Sequence, residues 1–287
     1  MKNYLSLIKF SHTIFALPFA MLGFFLATLQ PNIYFQWPTL LLVLLCMIFA
    51  RSAAMAFNRY LDRDIDIRNP RTQQREIPAG VIRPREALFF VAANSLLFIA
   101  ATWFINKTCF YLSPIALLVV LGYSYTKRFT WLCHFVLGMG LSLAPIGAYL
   151  AAGGSFDLIP LLYSGAVLFW VSGFDIIYAL QDEEFDREQA LYSVPVLLGK
   201  RGALRLSSLL HLLCFGLVLS AGFAVADAHV EFEWLHWVAV AIFGALLLYQ
   251  HSLVKSNDLS RVNLAFFTTN GIASLAFSGL VILDVYV

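Results

Sequence analysis

Pro38-Thr-Leu-Leu-Leu-Val-Leu-Leu-Cys-Met-Ile-Phe-Ala-Arg51-Ser-Ala-Ala-Met-Ala-Phe-Asn58-Arg-Tyr-Leu-Asp62-Arg-Asp-Ile-Asp66 decides the reading of this chain. Residues 38 to 57 are almost continuously apolar, and about 20 such residues make a helix that spans roughly 30 Å of bilayer hydrocarbon. Asn58, Asp62 and Asp66 then follow at intervals of four. A membrane helix that ends in a ladder of acids predicts chemistry at its mouth.

Similar apolar runs recur at roughly 13–29, 87–105, 110–126, 131–151, 159–181, 204–226, 236–253 and 264–283, so nine spans are expected in all. The composition agrees: 60% of residues are hydrophobic and 13% charged, and the mean hydropathy is +0.77, far from soluble-domain averages. Membrane barrels show period-two alternation, which these runs lack. The expected fold is therefore all-α: a polytopic membrane protein of nine transmembrane helices around a central cavity, forming a single domain over residues 1–287.

Every lysine and arginine except Lys107 falls in the amino-terminal segment, near the ends of runs 2, 4, 6 and 8, or in the loops that follow them. Positive charge marks cytoplasmic loops, so the amino terminus is expected inside and the carboxyl terminus outside, with both acidic stretches at the cytoplasmic surface of the inner membrane. The net charge of +2 sits in juxtamembrane loops, which excludes a nucleic-acid surface. Cys46, Cys109, Cys133 and Cys214 are scattered singly and read as packing. Lys2 and Lys9 ahead of the first run resemble a signal peptide, but Pro18 and the eight further spans favour a retained helix. No obligate protein partner is implied.

A second acidic stretch, Asp182-Glu-Glu-Phe-Asp186, ends the sixth run, and Asp175 lies seven residues earlier within it. Residues four or seven apart share a helix face, so Asn58, Asp62 and Asp66 form one row and Asp175, Asp182 and Asp186 another. Like charges so spaced repel, and an acid inside a membrane span is expensive enough to imply function. Oxygen ligands without Cys or His favour a hard cation, and magnesium prefers one or two carboxylates with phosphate oxygens and water. The metal must then bind together with a phosphate ligand, because even at an effective dielectric of 20 a like-charge pair at 4 Å costs about 4 kcal/mol.

Arg51 lies two helical turns deeper than Asn58, placed to meet an anionic substrate group. Tyr123 and Lys127 are one turn apart at the end of the fourth run, suited to reach phosphate together, and Arg75 in the first long connection is similar. The two long connections, 58–86 and 182–203, each lead to a Pro/Gly segment, Ile77-Pro-Ala-Gly80 and Val194-Pro-Val-Leu-Leu-Gly199. This faint internal repeat predicts two cap loops over one cavity. The six histidines show no metal-ligand spacing.

These residues resemble the UbiA-type intramembrane aromatic prenyltransferases along nearly the whole chain. Asn58, Asp62 and Asp66 match that family's NxxxDxxxD motif, Asp182 and Asp186 its DxxxD motif, and Tyr123 with Lys127 its YxxxK element. Arg75 matches the arginine of the RP(L/I)P(S/A)G segment, with Glu76 in place of proline. Tyr123 to Phe129 and Val194 to Lys200 look like the 4-hydroxybenzoate polyprenyltransferase branch, whereas Lys9-Phe-Ser-His12 departs from the usual amino-terminal pattern.

The resemblance implies Mg2+ held by Asn58, Asp62, Asp66, Asp182 and Asp186, with polyprenyl diphosphate as donor. It implies substrate binding by Arg51, Asn58, Arg75, Tyr123, Lys127 and Lys9, and a small aromatic acceptor, 4-hydroxybenzoate or one on a menaquinone route. Asp175 is the candidate to take the ring proton or orient the acceptor, and the 26 phenylalanines are read mostly as packing. Two other classes fit the sequence less well. A CDP-alcohol phosphatidyltransferase concentrates its aspartates in one DGxxAR-containing motif, absent here. A transporter would explain Asp175 and Arg51 but not the stacked surface acids.

Overall fold

The computed structural model describes residues 2–7, 16–229 and 233–286, and these form helices with no strand among them. In chain order they are α1 (Lys2–Leu7), α2 (Leu17–Ala27), α3 (Trp37–Leu61), α4 (Arg63–Asp66), α5 (Pro84–Ile105), α6 (Lys107–Thr126), α7 (Cys133–Ala151), α8 (Leu158–Ala179), α9 (Glu183–Glu188), α10 (Val194–Ala228), α11 (Leu235–Leu253) and α12 (Asn270–Asp284). A 3-10 turn, Leu180–Asp182, joins α8 to α9, and a π-helical turn, Leu264–Thr269, leads into α12. Lys9 and His12 lie outside the described residues.

Among the described residues, eight helices are long and apolar enough to cross a membrane. The run read as the first of nine spans contributes α2, whose 11 described residues fall short of a crossing. The outer faces are greasy: Leu118, Leu212 and Leu248 are all exposed, the surface a bundle presents to lipid.

Local chemistry sets the helix ends. Pro38 and Pro84 sit in the first turns of α3 and α5, where a missing N–H costs nothing, and Glu86 Oε2 accepts the Arg83 N–H at 3.1 Å. Asn106 caps α6 by accepting the Cys109 N–H at 2.8 Å, while its amide donates to Leu150 O at 2.9 Å. That one side chain ties the α5–α6 hairpin to the end of α7. Asp284 of α12 accepts the N–H groups of Glu233, Leu235 and His236, each at 3.1 Å, satisfying donors that the start of α11 leaves unpaired.

Side-chain size governs the packing between helices. A Cβ on Gly23 would stand 2.1 Å from Pro145 O, and one on Gly138 2.5 Å from Leu168 O, so α2 meets α7 and α7 meets α8 almost backbone to backbone. α8 also packs on α10, α3 on α5 and α6, α11 on α12, and α12 on α2. Phe19, Trp170, Phe243 and Phe277 interlock in the largest apolar cluster. Those three phenylalanines are packing, whereas Phe89, Phe104 and Phe223 are exposed on outer faces.

Candidate functional site

The first acidic ladder is built at a helix end. α3 stops at Leu61, yet the bond pattern continues through the break: Asp62 N–H reaches Asn58 O at 2.9 Å and Asp66 N–H reaches Asp62 O at 2.7 Å. The row is therefore carried by the end of α3 and its short extension α4. Asn58 Nδ2 donates to Asp62 Oδ2 at 3.0 Å. Asp182 lies in the 3-10 turn after α8 and Asp186 in α9.

Both ladders face one cavity of about 280 Å³, which Arg51, Asn58, Asp62, Asp66, Arg75, Tyr123, Lys127, Asp175, Asp182 and Asp186 all line. The two stretches are also joined directly. Asn69 Nδ2 donates to Asp182 Oδ1 at 3.3 Å, and Arg71 binds Asp182 through two nitrogens, Nε to Oδ1 at 3.0 Å and Nη2 to Oδ2. A second cavity of about 340 Å³ shares Arg51, Met55, Tyr123, Leu137 and Leu141 with the first and continues among apolar side chains such as Val43, Met47, Phe98 and Leu112. From Tyr123 to Cys109 its α6 wall runs about 21 Å, at 1.5 Å per residue.

The acids are paired with cations. Arg75 Nη1 lies 2.7 Å from Asp66, Lys127 Nζ 3.2 Å from Asp186, and Arg128 2.9 Å from Asp64 and 3.5 Å from Asp62. Several of these contacts connect distant segments, which distinguishes them from the local pairing of an ordinary loop acid. Burial pushes the Asp62 carboxyl up to about 6, against the opposing pull of Lys127 and Arg128. Burial works against the Lys127 charge, but the Asp186, Asp62 and Asp182 carboxylates outweigh it and hold that ammonium above its usual range.

The donor set fits a hard divalent ion. Asp66 Oδ2 is buried and has neither a hydrogen bond nor an ion pair, a state that costs free energy unless a cation answers it, whereas Asp186 Oδ1 and Asp62 Oδ1 are met by Lys127 at 3.2 Å and Arg128 at 3.5 Å. Among the described residues no three His, Cys, Asp or Glu side chains form a ready-made ion cage. Magnesium suits that pattern, since it takes few carboxylates and completes its shell with phosphate oxygens and water.

Three cavity residues escaped the sequence reading. Arg59 is buried, lines the cavity and has an Nε without a partner; it was counted only as topological charge. Arg71 depends on how the first connection folds, which no spacing encodes. His134 also lines the cavity, with Nδ1 2.7 Å from Asp175 Oδ2; no spacing in the sequence singled it out.

Comparison with known proteins agrees with this geometry. The profile of the UbiA prenyltransferase family matches residues 16–272. The 4-hydroxybenzoate octaprenyltransferase of Aeromonas salmonicida is 31% identical over 249 residues, 85% of this chain and 82% of the relative; that of Photobacterium profundum is 28% identical over 257 residues, 88% of this chain and 84% of the relative. The structure superposes on an apo UbiA homologue from Aeropyrum pernix with a TM-score of 0.84 at 33% identity, covering 95% of this chain and 98% of that one. A UbiA homologue from Archaeoglobus fulgidus bound to DMAPP and Mg2+ shares the fold, with a TM-score of 0.78 at 22% identity and 99% of each chain covered.

Proposed function

The chain belongs to the UbiA prenyltransferase family, and we propose that it transfers a polyprenyl group from its diphosphate to a carboxylated phenol of the 4-hydroxybenzoate type on a route to a quinone. One observation carries this reading: two aspartate ladders converge on a charged cavity that opens into an apolar one. Asn58, Asp62, Asp66, Asp182 and Asp186 would hold Mg2+, which when bound neutralises charge on the departing diphosphate. Arg75 and Lys127, already at the cavity through Asp66 and Asp186, stand ready to bind diphosphate oxygens, with Tyr123 one turn above Lys127. Arg59 adds a guanidinium with an unmatched donor.

The isoprenoid lies along the apolar cavity, whose walls exclude water from the allylic cation formed when the C1–O bond breaks and its electron pair leaves with diphosphate. Arg51 sits where the two cavities join, with its Nε unpartnered, and holds the acceptor carboxylate. The ring attacks C1, and Asp175 accepts the displaced ring proton as the C–H electron pair restores aromaticity. The positive-inside pattern supports a cavity facing the cytoplasm with the amino terminus inside, and one domain serves the whole reaction.

The test is incubation of detergent-purified protein with geranyl diphosphate, Mg2+ and a panel of phenolic acids. The expected result is a metal-dependent prenylated 4-hydroxybenzoate. Turnover of bicyclic, menaquinone-type acceptors alone would move the acceptor assignment, and no metal-dependent product with any acceptor would overturn the reading.

A further inference from the structure

His134 occupies a position that no acceptor or metal argument demands. It is 3% exposed, in the first turn of α7, and it makes three contacts with two other helices. Its Nδ1 lies 2.7 Å from Asp175 Oδ2 on α8, its Nε2 lies 3.2 Å from the backbone N of Val194 at the start of α10, and its carbonyl accepts the Ser172 hydroxyl at 3.3 Å.

These contacts fix the ring's protonation pattern. A backbone N–H can only donate, so Nε2 must present its lone pair to Val194. A proton on Nε2 would set two donors against each other in a buried contact. The ring is therefore the neutral tautomer with its one hydrogen on Nδ1, and that hydrogen is donated to Asp175. Asp175 Oδ2 is committed to His134, while Oδ1 accepts no hydrogen bond from a described residue, and Asp175 lines the charged cavity. A carboxylate held by one oxygen from behind presents the other at a fixed angle.

We propose that His134 is a positioning residue for Asp175: the Val194 amide sets the imidazole tautomer, and the imidazole holds the carboxylate with its free oxygen toward the acceptor ring. The inference rests on Asp175 as the proton acceptor. Val194 lies six residues after α9, the helix that carries Asp186, so the seating of that segment is transmitted to the carboxylate through one histidine ring.

The experiment compares His134→Asn, His134→Gln, His134→Leu and Asp175→Asn in the full chain, using geranyl diphosphate, Mg2+ and the phenol that turns over in the acceptor panel, unlabelled or deuterated ortho to its hydroxyl. An asparagine amide can stand where Nδ1 stands and keep the donor to Asp175; glutamine reaches toward Val194 instead, and leucine offers no donor. His134→Asn should retain most of the turnover. His134→Gln and His134→Leu should lose about tenfold or more in kcat, a part of the roughly 10²–10⁴ that a positioned base supplies, with an unchanged KM for the donor and a larger deuterium effect on kcat than the wild type. Equal losses in Asn, Gln and Leu variants with no change in the isotope effect would overturn the positioning role. Inactive Asp175→Asn beside fully active His134→Leu would overturn it while leaving the base assignment intact; fully active Asp175→Asn would remove both.

Discussion

Asp62→Asn should make the ligand-free protein more stable and inactive at once. Burial raises the Asp62 carboxyl from 3.8 to about 6, a little over two pH units, and each unit is worth about 1.4 kcal/mol. A folded-state pKa above the unfolded value means that the fold favours the protonated form. The stabilisation from that proton is complete below about pH 4 and is lost as the pH rises through about 6. At pH 7.5 the ionised side chain therefore costs the fold about 3 kcal/mol relative to a neutral one. Asparagine is that neutral isostere, and its amide oxygen can still accept from Asn58, which now donates to Asp62 at 3.0 Å. Arg128 keeps Asp64 at 2.9 Å and Leu61 O at 2.7 Å. The assay is denaturation in detergent with EDTA at a series of pH values from 4 to 8. The variant should be the more stable at pH 7.5, and its advantage should vanish near pH 4. A variant no more stable than the wild type at pH 7.5, or an advantage independent of pH, would refute the reasoning.

Asp182→Ala should abolish transfer, measured as labelled product, and should also loosen the first connection, because Arg71 and Asn69 lose their shared anchor; retained transfer would contradict the metal assignment. Arg51→Ala should raise the KM for a carboxylated acceptor by about tenfold or more, the scale of a lost charged hydrogen bond of about 1.5–3 kcal/mol, and leave the donor KM alone. Equal changes in both would take Arg51 out of the acceptor subsite. Gly147 lines the apolar cavity, and a Cβ placed on it meets nothing within 4 Å, so Gly147→Phe should fold normally and shift kcat/KM toward short donors. An unchanged preference between geranyl and longer diphosphates would show that the chain runs elsewhere.

Span lengths and acid spacing made the helical fold and both aspartate ladders readable, because period and hydropathy are local properties. Tyr123 and Lys127 were readable as neighbours one turn apart for the same reason, whereas Arg75 was picked out by the resemblance to a family segment. Arg71 was hidden because its partner lies 111 positions away across a folded connection. His134 was hidden because tautomer and direction depend on Val194 and Asp175, two other segments that no motif links to it. The break after Leu61 left no mark in the spacing, since the α4 turn preserves the four-residue interval.

Five acidic side chains, Asp62, Asp66, Asp175, Asp182 and Asp186, share the charged cavity with five basic ones, Arg51, Arg59, Arg71, Arg75 and Lys127. Formally the chamber is electroneutral. A stray phosphate or a free divalent ion from bulk solution gains little by entering alone, since every attraction is matched by a repulsion and by the disruption of a standing pair. A salt that arrives as both halves can swap partners without leaving either sign in excess. By linkage, each half then tightens the other by the same factor, which screens the enzyme from the small inorganic anions that outnumber its lipid-borne donor.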